Sequence, residues 1–434
     1  MNDLTAFRAV CFTSFIISIA TFGFAAIALA DARESRIPGQ YIVVFKDGVE
    51  NVDQVESDLL GKAYGERIAS YRTVLDGFAA RMSAAQLAAV KSDPRVAFVS
   101  EDRVVRAVGI PRIEASFPTL TLRGITPRAQ VLPTGVDRIN AENKTNTGIG
   151  AQVAVIDTGI YLSHADLKAN IVGGKNCASK NANDYGDQNG HGTHVAGTIA
   201  AINNTQGVVG VAPGAKLWSV RVLDRFGYGT WSSVICGLDF VAGKGVGNGG
   251  PISVANMSLG GGGSSDDDCG NTNGDALHKA VCRVRDAGVV LVVAAGNDGT
   301  NTSGFVPAAY DDAVITVSAL VDTDGAGGGA GSGTPYGTDD TFASFSNYGS
   351  AVDIGAPGVN INSTWKGGGY KSISGTSMAS PHVAGAAALY IATHASSTWT
   401  GVRDALVASG EAAGSGHTDL SGKHPEPVLR ADSL

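Results

Sequence analysis

The chain has 434 residues, a length that suggests two to three domains. Its 32 basic and 40 acidic side chains give a net charge of −8, which argues against a nucleic-acid partner bound through broad electrostatics. The 44% apolar content excludes a disordered chain, and the 59 glycines follow no three-residue period, which excludes collagen.

The first 30 residues form the one continuously apolar stretch of the sequence. The run follows Arg8 and ends in Ala28-Leu29-Ala30, the small-x-small pattern that signal peptidase requires. This pattern predicts a signal peptide over residues 1–30 and a secreted product, either extracellular or periplasmic. The run is also long enough to be an uncleaved anchor. After cleavage we expect no membrane contact, because no later stretch is apolar enough to span a bilayer.

Residues 31–107 have the pattern of a small separate unit. Strand-like and helix-like segments alternate in the order βαββαβ, and a capping box from Ser83 to Gln86 begins the second helix. This order predicts an α+β unit of ferredoxin-like type. The predicted strands are 41–45, 67–73, 77–82 and 96–99, and the first predicted helix is 52–63. Residues 108–128 contain prolines and arginines without a clear period, which predicts a linker.

From Gly150 onward, runs that are apolar throughout alternate with helix-like segments. Such runs are typical of a parallel sheet covered by helices on both faces. We therefore predict an α/β fold with a mostly parallel sheet for residues 129–434. The predicted strands are 153–156, 217–223, 252–257, 289–295, 314–319 and 352–354, and the predicted helices are 191–202, 232–242, 276–287 and 377–393. Residues 322–340 are rich in Gly and Asp and predict a mobile surface loop.

Four cysteines remain once Cys11 leaves with the signal peptide. An even number in an exported chain predicts two disulfides. Three pairings are possible, and we favour the two between sequence neighbours, Cys177–Cys236 and Cys269–Cys282.

Three side chains suited to acyl transfer lie at the ends of predicted buried elements. Asp157 follows a strand, and His191 and Ser377 begin helices. A serine hydroxyl becomes an effective nucleophile when an imidazole accepts its proton, and a carboxylate orients that imidazole. The backbone N–H of Ser377 and the side chain of Asn297 are the candidate donors to the oxyanion.

Each of these segments has another interpretation. Asp157-Thr-Gly could be half of an aspartic-protease site, but the second such motif is absent from the chain. His191 and Ser377, taken singly, are more often residues that simply begin a helix. The His191-x-x-His194 pair lacks the glutamate and the spacing of a zinc helix. We expect three other histidines to be structural: His164, His194 and His382.

Taken together, the segments are specific. The order Asp, His, Ser is that of the subtilisin-type triad. From Ala129 onward the chain closely resembles the subtilase family of serine endopeptidases, and its cysteines are most similar to those of the disulfide-bearing, proteinase-K-like members. The matching motifs are AQVLPTGVDRI at 129–139, VAVIDTGI at 153–160, HGTHVAGTIAA at 191–201, GVAPGAKL at 210–217, NMSLGG at 256–261, VVAAGN at 292–297 and GTSMASPHVAG at 375–385.

This resemblance implies that Asp157, His191 and Ser377 form the triad and that Asn297 donates to the oxyanion. It implies a secreted, monomeric endopeptidase with polypeptide substrates. A catalytically silent binding protein on the same scaffold and an esterase with the same triad are the alternatives.

The N-terminal unit, residues 31–107, resembles the inhibitor-type propeptide of the family. The resemblance implies an intramolecular inhibitor and folding chaperone that is cut off somewhere within 106–129. A permanent regulatory domain is the alternative.

The resemblance also implies two segments, 225–229 and 258–261, that hold the substrate as an extended strand, with glycines that leave room for its backbone. We predict no acid at the base of the primary pocket, and therefore expect a preference for large apolar or aromatic side chains before the cut. The predicted substrate-binding residues are Ser258, Leu259, Gly260, Gly227, Trp231, Ala294, Ala295 and Gly296.

Calcium is the ion that the resemblance implies. The loop 202–208 has the length of the family's calcium loop, and oxygen ligands suit Ca²⁺. An ordinary Asn-Asn turn is the alternative. The predicted ligands are Gln130, Asp166, Ile202, Asn204, Gln206 and Val208. Four acids of the Gly/Asp-rich loop could bind a second ion, but we expect a solvated loop there: Asp322, Asp324, Asp339 and Asp340.

Overall fold

The computed structural model describes residues 36–63, 65–108, 129–142 and 144–434. The predicted signal peptide and residues 109–128 of the predicted linker lie outside the described residues. In the part of the chain that is described, no helix is long and apolar enough to cross a membrane.

The N-terminal unit has the predicted βαββαβ order. All its strand pairs are antiparallel, and the capping box from Ser83 to Gln86 is present. Its elements are β1 (Arg36–Phe45), α1 (Val52–Ala63), β2 (Glu66–Tyr71), β3 (Gly77–Arg81), α2 (Ala84–Lys91) and β4 (Val96–Ala107). The four strands lie in the order β4-β1-β3-β2.

Alternation along β1 gives this sheet two buried faces. Val43 and Phe45 pack with apolar residues of α1 and α2. Ile42 and Val44 point to the opposite face and belong to a larger apolar cluster shared with the C-terminal unit. The N-terminal sheet therefore packs against its own helices on one face and against the rest of the molecule on the other.

The C-terminal unit is built on a seven-stranded sheet in which every strand pair is parallel. Its elements are α3 (Thr134–Arg138), β5 (Gln152–Asp157), β6 (Ile171–Asn176), α4 (His191–Ala200), β7 (Lys216–Arg221), β8 (Tyr228–Thr230), α5 (Trp231–Ala242), β9 (Val254–Met257), β10 (Leu259–Gly262), α6 (Ala276–Asp286), β11 (Val290–Ala294), β12 (Phe305–Val306), β13 (Ile315–Leu320), β14 (Ile354–Pro357), β15 (Ile361–Trp365), β16 (Gly369–Ile373), α7 (Thr376–Thr393) and α8 (Trp399–Ser409). The sheet order is β14-β13-β11-β9-β5-β7-β6. The predicted α/β class is confirmed.

Strand β4 differs most from its prediction, because it continues eight residues beyond the predicted end. Its later part pairs with β8 and β10 of the C-terminal unit, on its two sides. Residues 100–107 are largely polar and have no alternating pattern. Ser100, Glu101 and Arg103 pair with β1, and residues 104–107 pair with β8 and β10.

The Gly/Asp-rich loop at 322–340 lies at the surface, with most residues between 324 and 335 exposed, but the expectation that its acids are solvated was wrong for three of the four. Asp322, Asp339 and Asp340 are only 1%, 4% and 2% exposed. Backbone N–H groups of the loop provide hydrogen bonds to the buried carboxylate of Asp340. Those of Gly328 and Gly329 donate to Asp340 Oδ2 at 2.8 and 2.9 Å.

Two further features tie the C-terminal unit together. Both favoured disulfides are present, Cys177–Cys236 and Cys269–Cys282. The residues after α8 are packed, since Val428 and Leu429 are fully buried.

Candidate active site

Asp157 and His191 are brought together at the end of the parallel sheet. Asp157 is the last residue of β5, and His191 is the first residue of α4. His191 Nδ1 lies 2.8 Å from Asp157 Oδ1 and 2.9 Å from Oδ2. Both side chains are buried, and the carboxylate also accepts a hydrogen bond from the backbone N–H of Thr158 at 2.7 Å.

The environment of His191 favours its protonated form. Burial lowers the pKa of His191, but the charge of Asp157, the hydrogen bond to it and the charge of Asp187 outweigh burial and raise the pKa above its ordinary value. His191 Nε2, the opposite nitrogen, has no hydrogen-bond partner among the described residues.

Asp187 organises the turn that leads into α4. Its Oδ1 accepts hydrogen bonds from the N–H groups of Asn189 and Gly190 at 2.7 and 2.9 Å, and from the hydroxyl of Thr158 at 2.9 Å. Its Oδ2 accepts from the N–H and hydroxyl of Thr193. This buried carboxylate therefore links the turn after β5 to the first turn of α4, and the sequence reasoning missed it.

Ser377 and Asn297 converge on one carbonyl group of the N-terminal unit. Ser377 Oγ hydrogen-bonds to the carbonyl oxygen of Val108, and Asn297 Nδ2 donates to the same oxygen at 3.0 Å. Ser377 lies in the first turn of α7, so its backbone N–H has no acceptor within the helix. Ser377 Oγ also lies 3.1 Å from the carbonyl oxygen of Ser258, and it makes no hydrogen bond to His191.

The orientation of the Asn297 amide is set from its other end. Asn297 Oδ1 accepts hydrogen bonds from the backbone N–H of Thr376 at 2.9 Å and from its hydroxyl at 2.8 Å. The oxygen is therefore held toward α7, and the NH₂ group is directed to Val108. Thr376 was not among the predicted site residues.

The strand that carries Val108 lies between two strands of the C-terminal unit. Leu259 and Gly260 of β10 pair with the end of β4 on one side, and Tyr228–Thr230 of β8 pairs on the other. The N–H of Ala107 donates to the carbonyl of Gly227 at 2.9 Å, and that of Val108 donates to Ser258 at 3.1 Å. The contacts are made by backbone groups and do not depend on side-chain identity.

Comparisons with known proteins give two family matches. Residues 148–423 match the Subtilase family, and residues 40–107 match Peptidase inhibitor I9. The chain is 36% identical over 397 residues to Subtilisin NAT of Bacillus subtilis subsp. natto, covering 89% of each chain. It is 43% identical over 282 residues to a thermostable alkaline protease of Halalkalibacterium halodurans, covering 64% of this chain and 68% of that protein.

A solved structure agrees with these matches. The crystal structure of a cold adapted subtilisin-like serine proteinase is 37% identical, with a TM-score of 0.56, covering 69% of this chain and 97% of that chain. The chain belongs to the subtilase family. It is a serine endopeptidase that carries an inhibitor-type propeptide domain.

The glycines of this subtilase serve its strand contacts in ways that differ from the expectation. Gly227 has a φ of +83°, and its conformation rather than its small size requires glycine, because an added Cβ would lie 3.5 Å from Ala107. At Gly260 an added Cβ would strike the ring of Phe305, on the side away from β4. Gly261 is the position where a Cβ would meet the propeptide strand, 2.8 Å from the carbonyl of Val104.

The apolar residues that were predicted to bind substrate are all buried, beside the end of β4 or beneath it. Trp231, Leu259 and Ala294 belong to the same apolar cluster as Val105 and Val108. Ala295 is fully buried directly after β11, and Gly296 donates its N–H to the hydroxyl of Thr376 at 3.1 Å.

The six predicted calcium ligands of the subtilase also come together. The side-chain amide of Gln130 donates to the carbonyls of Ile202 and Val208 at 3.0 and 3.2 Å, and its oxygen accepts from the N–H of Asn204. Asp166 Oδ2 accepts from the N–H of Val208 at 3.0 Å. The backbone of Gln206 bridges to Ala129, next to Gln130 in the chain.

The three histidines expected to be structural bond to backbone carbonyls. His164 Nε2 lies 2.9 Å from the carbonyl oxygen of Gly369, and His382 Nδ1 lies 2.8 Å from that of Met378. His194 Nε2 lies 2.9 Å from the carbonyl oxygen of Ile361, and burial lowers the pKa of His194 to about 3.

Proposed function

We propose that the chain hydrolyses peptide bonds with Ser377 as nucleophile, His191 as general base and acid, and Asp157 as the group that orients His191. Asn297 and the backbone N–H of Ser377 stabilise the oxyanion. The observation that carries this proposal is the position of the Val108 carbonyl, which is in hydrogen-bond contact with both the hydroxyl of Ser377 and the amide of Asn297.

Each proposed step uses one of these groups. Ser377 Oγ attacks the carbonyl carbon while its proton passes to the neutral Nε2 of His191. The carbonyl oxygen gains negative charge, and the Asn297 amide is already directed toward it. His191 then gives the proton to the leaving amine, and water repeats the sequence to release the acyl group.

The first substrate is the chain itself. Val108 is the first residue of the predicted linker, and its carbonyl lies at the nucleophile. We therefore propose that maturation cuts the bond between Val108 and the next residue, Gly109. The proposed propeptide is then residues 31–108, one residue longer than the predicted unit, and its last strand stays in the substrate channel as the inhibitor.

Apolar side chains before the cut fit this channel. The segment that occupies the channel, the end of β4 with Val108, has two apolar side chains, Val108 and Val105, which are only 5% and 1% exposed. We propose that Ala294, Ala295 and Gly296 form a wall of the primary pocket, and that Trp231 and Leu259 contact the side chain three residues upstream. Large apolar or aromatic residues before the cut remain the expected preference.

Calcium is the proposed structural ion, held by the side chains of Gln130, Asp166 and Asn204 and by the carbonyls of Ile202, Gln206 and Val208. The residues present fit this ion. The NH₂ group of Gln130 already lies 3.0 and 3.2 Å from two of the carbonyl oxygens, so turning this amide over would direct its oxygen to the same place. An added Cβ at Gly207 would lie 2.1 Å from Asp166 Oδ2, so the loop closes tightly around that carboxylate. The bound ion would cross-link the loop after α4 to the start of the catalytic unit.

Secretion completes the proposal. Residues 1–30 would be the signal peptide, and the mature product would be a monomer outside the cytoplasm. The two disulfides agree with an oxidising compartment.

The decisive experiment compares the wild type with Ser377→Ala. We expect the wild type to react with a serine-directed fluorophosphonate, to cleave casein and to acquire an N-terminus at Gly109. Ser377→Ala should do none of these and should remain full length. Ser372→Ala, which removes an exposed hydroxyl, is the matched control and should behave as the wild type.

Two outcomes would contradict the proposal. A folded, processed wild type without labelling or casein cleavage would indicate a silent binding protein. Labelling with ester hydrolysis but no peptide cleavage would indicate an esterase.

A further inference from the structure

Three carboxylates outside the active site and the proposed Gln130 calcium site lie close enough to share one ion. Asp322, Asp324 and Asp339 each offer an oxygen, and the three oxygens lie within 4.8 Å of one another. Calcium binds oxygens at about 2.3–2.6 Å, so two of its ligands can be as much as about 5 Å apart.

The loop holds two of these carboxylates in place. Asp339 Oδ1 accepts from the N–H and hydroxyl of Thr323 at 2.8 and 2.9 Å, and Oδ2 accepts from the N–H of Gly331 at 2.8 Å. Asp322 Oδ1 accepts from the N–H of Gly325 at 3.0 Å. Each carboxylate is thus oriented before any ion arrives.

Asp322 is the observation that points to a ligand. The residue is only 1% exposed, and its second oxygen, Oδ2, has no hydrogen-bond partner among the described residues. A buried carboxylate oxygen without a partner is costly and calls for a cation or a proton. Burial raises the pKa of Asp322 to about 7, and the hydrogen bond from Gly325 and the charge of Arg138 offset only part of that rise.

The nearby cation is already engaged. Arg138 is buried, and its guanidinium donates to Asp340 Oδ1 at 2.8 Å and to Glu411 Oε1 at 2.8 Å. Its single charge is therefore shared by two carboxylates that lie outside the group of three.

We propose that Asp322, Asp324 and Asp339 bind one calcium ion, separate from the ion proposed at Gln130 and Asp166. All three side chains offer oxygen only, which favours calcium over zinc or copper. Asp322 lies two residues after the end of β13, while Asp339 lies beyond the other end of the Gly-rich segment. The ion would therefore close this long loop at its base and fix it to the sheet.

The test counts calcium ions per chain in the full-length Ser377→Ala protein, which excludes self-digestion. We expect Asp324→Asn to bind one ion fewer than the parent by equilibrium dialysis with radioactive calcium. Asp324 is exposed and Asn keeps the oxygen that accepts from Ala326, so the substitution should leave folding intact. Asp404→Asn, an equal change of charge at an exposed residue of α8, should leave the number of ions unchanged.

Asp322→Asn supplies a second measurement that separates a ligand from a buried protonated acid. If Asp322 binds calcium, the variant should melt at or above the parent temperature in chelator and below it in saturating calcium. The proposal would be overturned by an equal change of melting temperature in chelator and in calcium, or by an unchanged number of bound ions in both Asp→Asn variants. Because the comparison uses differences between inactive variants, its outcome is independent of peptidase activity and of calcium at Gln130.

Discussion

Asn297 is the residue whose role depends most on neighbours that the sequence pattern did not single out. Its place after a buried strand was predictable, but its orientation comes from two hydrogen bonds of Thr376. The positions of Asp157, His191 and Ser377 at the ends of elements were predictable, because the proposed chemistry needs those residue types there. Asp187 and Thr376 were not, since an aspartate in a turn and a threonine at a helix start are common for purely local reasons.

Replacing Asn297 by Leu should lower kcat with little change in KM. Leu has a similar size but no donor, so the developing oxyanion loses one hydrogen bond while the ground state loses little. We expect a loss of about 10²–10³-fold, the size already known for the equivalent donor of a subtilisin. Steady-state kinetics on a peptide substrate measure it. A raised KM with unchanged kcat would show instead that Asn297 serves ground-state binding.

His191 should impose an acid limit on activity. In the proposed mechanism the imidazole must be neutral to accept the proton of Ser377, and its pKa is raised above the ordinary 6.5. Activity should therefore be present above that pKa and lost as pH falls through it, with kcat/KM half-maximal above pH 6.5 and falling about tenfold per unit below. Measuring the profile with two chemically different peptides excludes titration of the substrate. A midpoint clearly below 6.5 would contradict the assigned environment.

At the scale of elements, strand β4 shows what pattern reasoning misses. Residues 96–99 are an apolar run that predicts a strand, whereas residues 100–107 are largely polar, and residues 104–107 pair with two strands that are distant in sequence. Helix α1 was predictable to the residue because its signal is local. A strand whose partners belong to another unit leaves little local trace.

Asp102 of β4 should contribute strongly to inhibition by the propeptide. It is fully buried at the N-terminus of α5, where its Oδ1 accepts from the N–H of Ser232 at 3.0 Å and its Oδ2 accepts from the hydroxyl of the same residue. Burial raises the pKa of Asp102, and the hydrogen bonds and the helix dipole offset part of that cost only while Ser232 and α5 are in place.

Replacing Asp102 by Ala should therefore raise the inhibition constant of the separate propeptide against mature enzyme by about tenfold or more. Glu101→Gln is the matched control. Glu101 is next to Asp102 in the chain, but its side chain is partly exposed and pairs with Arg36, which belongs to the propeptide itself. Inhibition should therefore hardly change. Equal inhibition by all three propeptides would show that the backbone contacts of β4 suffice.

At the scale of the whole molecule, the two units share one apolar core. The face of β1 that carries Ile42 and Val44 lies in the same cluster as Val234 and Leu238 of α5. The parallel sheet was predictable from its apolar runs, because such strands are buried on both faces. The packing of the N-terminal sheet against α5 was not predictable, because the uninterrupted apolar run at 41–45 indicates that both faces of β1 are buried without indicating which elements cover them.

The two disulfides should differ in their effect on stability. Cys177–Cys236 spans 59 residues and Cys269–Cys282 spans 13, so the longer loop should restrict the unfolded chain more. Converting the first pair to serine in full-length Ser377→Ala protein should cost about 1 kcal/mol more than converting the second. Denaturant unfolding of both double variants measures the difference, and a larger loss from the 13-residue loop would contradict the loop-entropy argument.

When the propeptide leaves, β8 and β10 lose the strand that lies between them. Strands in a sheet are about 4.8 Å apart, so the mature enzyme has two unpaired strand edges facing each other across about 10 Å. Any substrate segment that binds in place of the propeptide strand must be extended over the five residues that correspond to Val104–Val108, and its backbone N–H and C=O groups must be free on both sides. A helix or an inner sheet strand of a folded protein does not meet this condition. For folded substrates, the cutting rate should therefore follow the free energy of local unfolding at the target segment rather than its side chains alone.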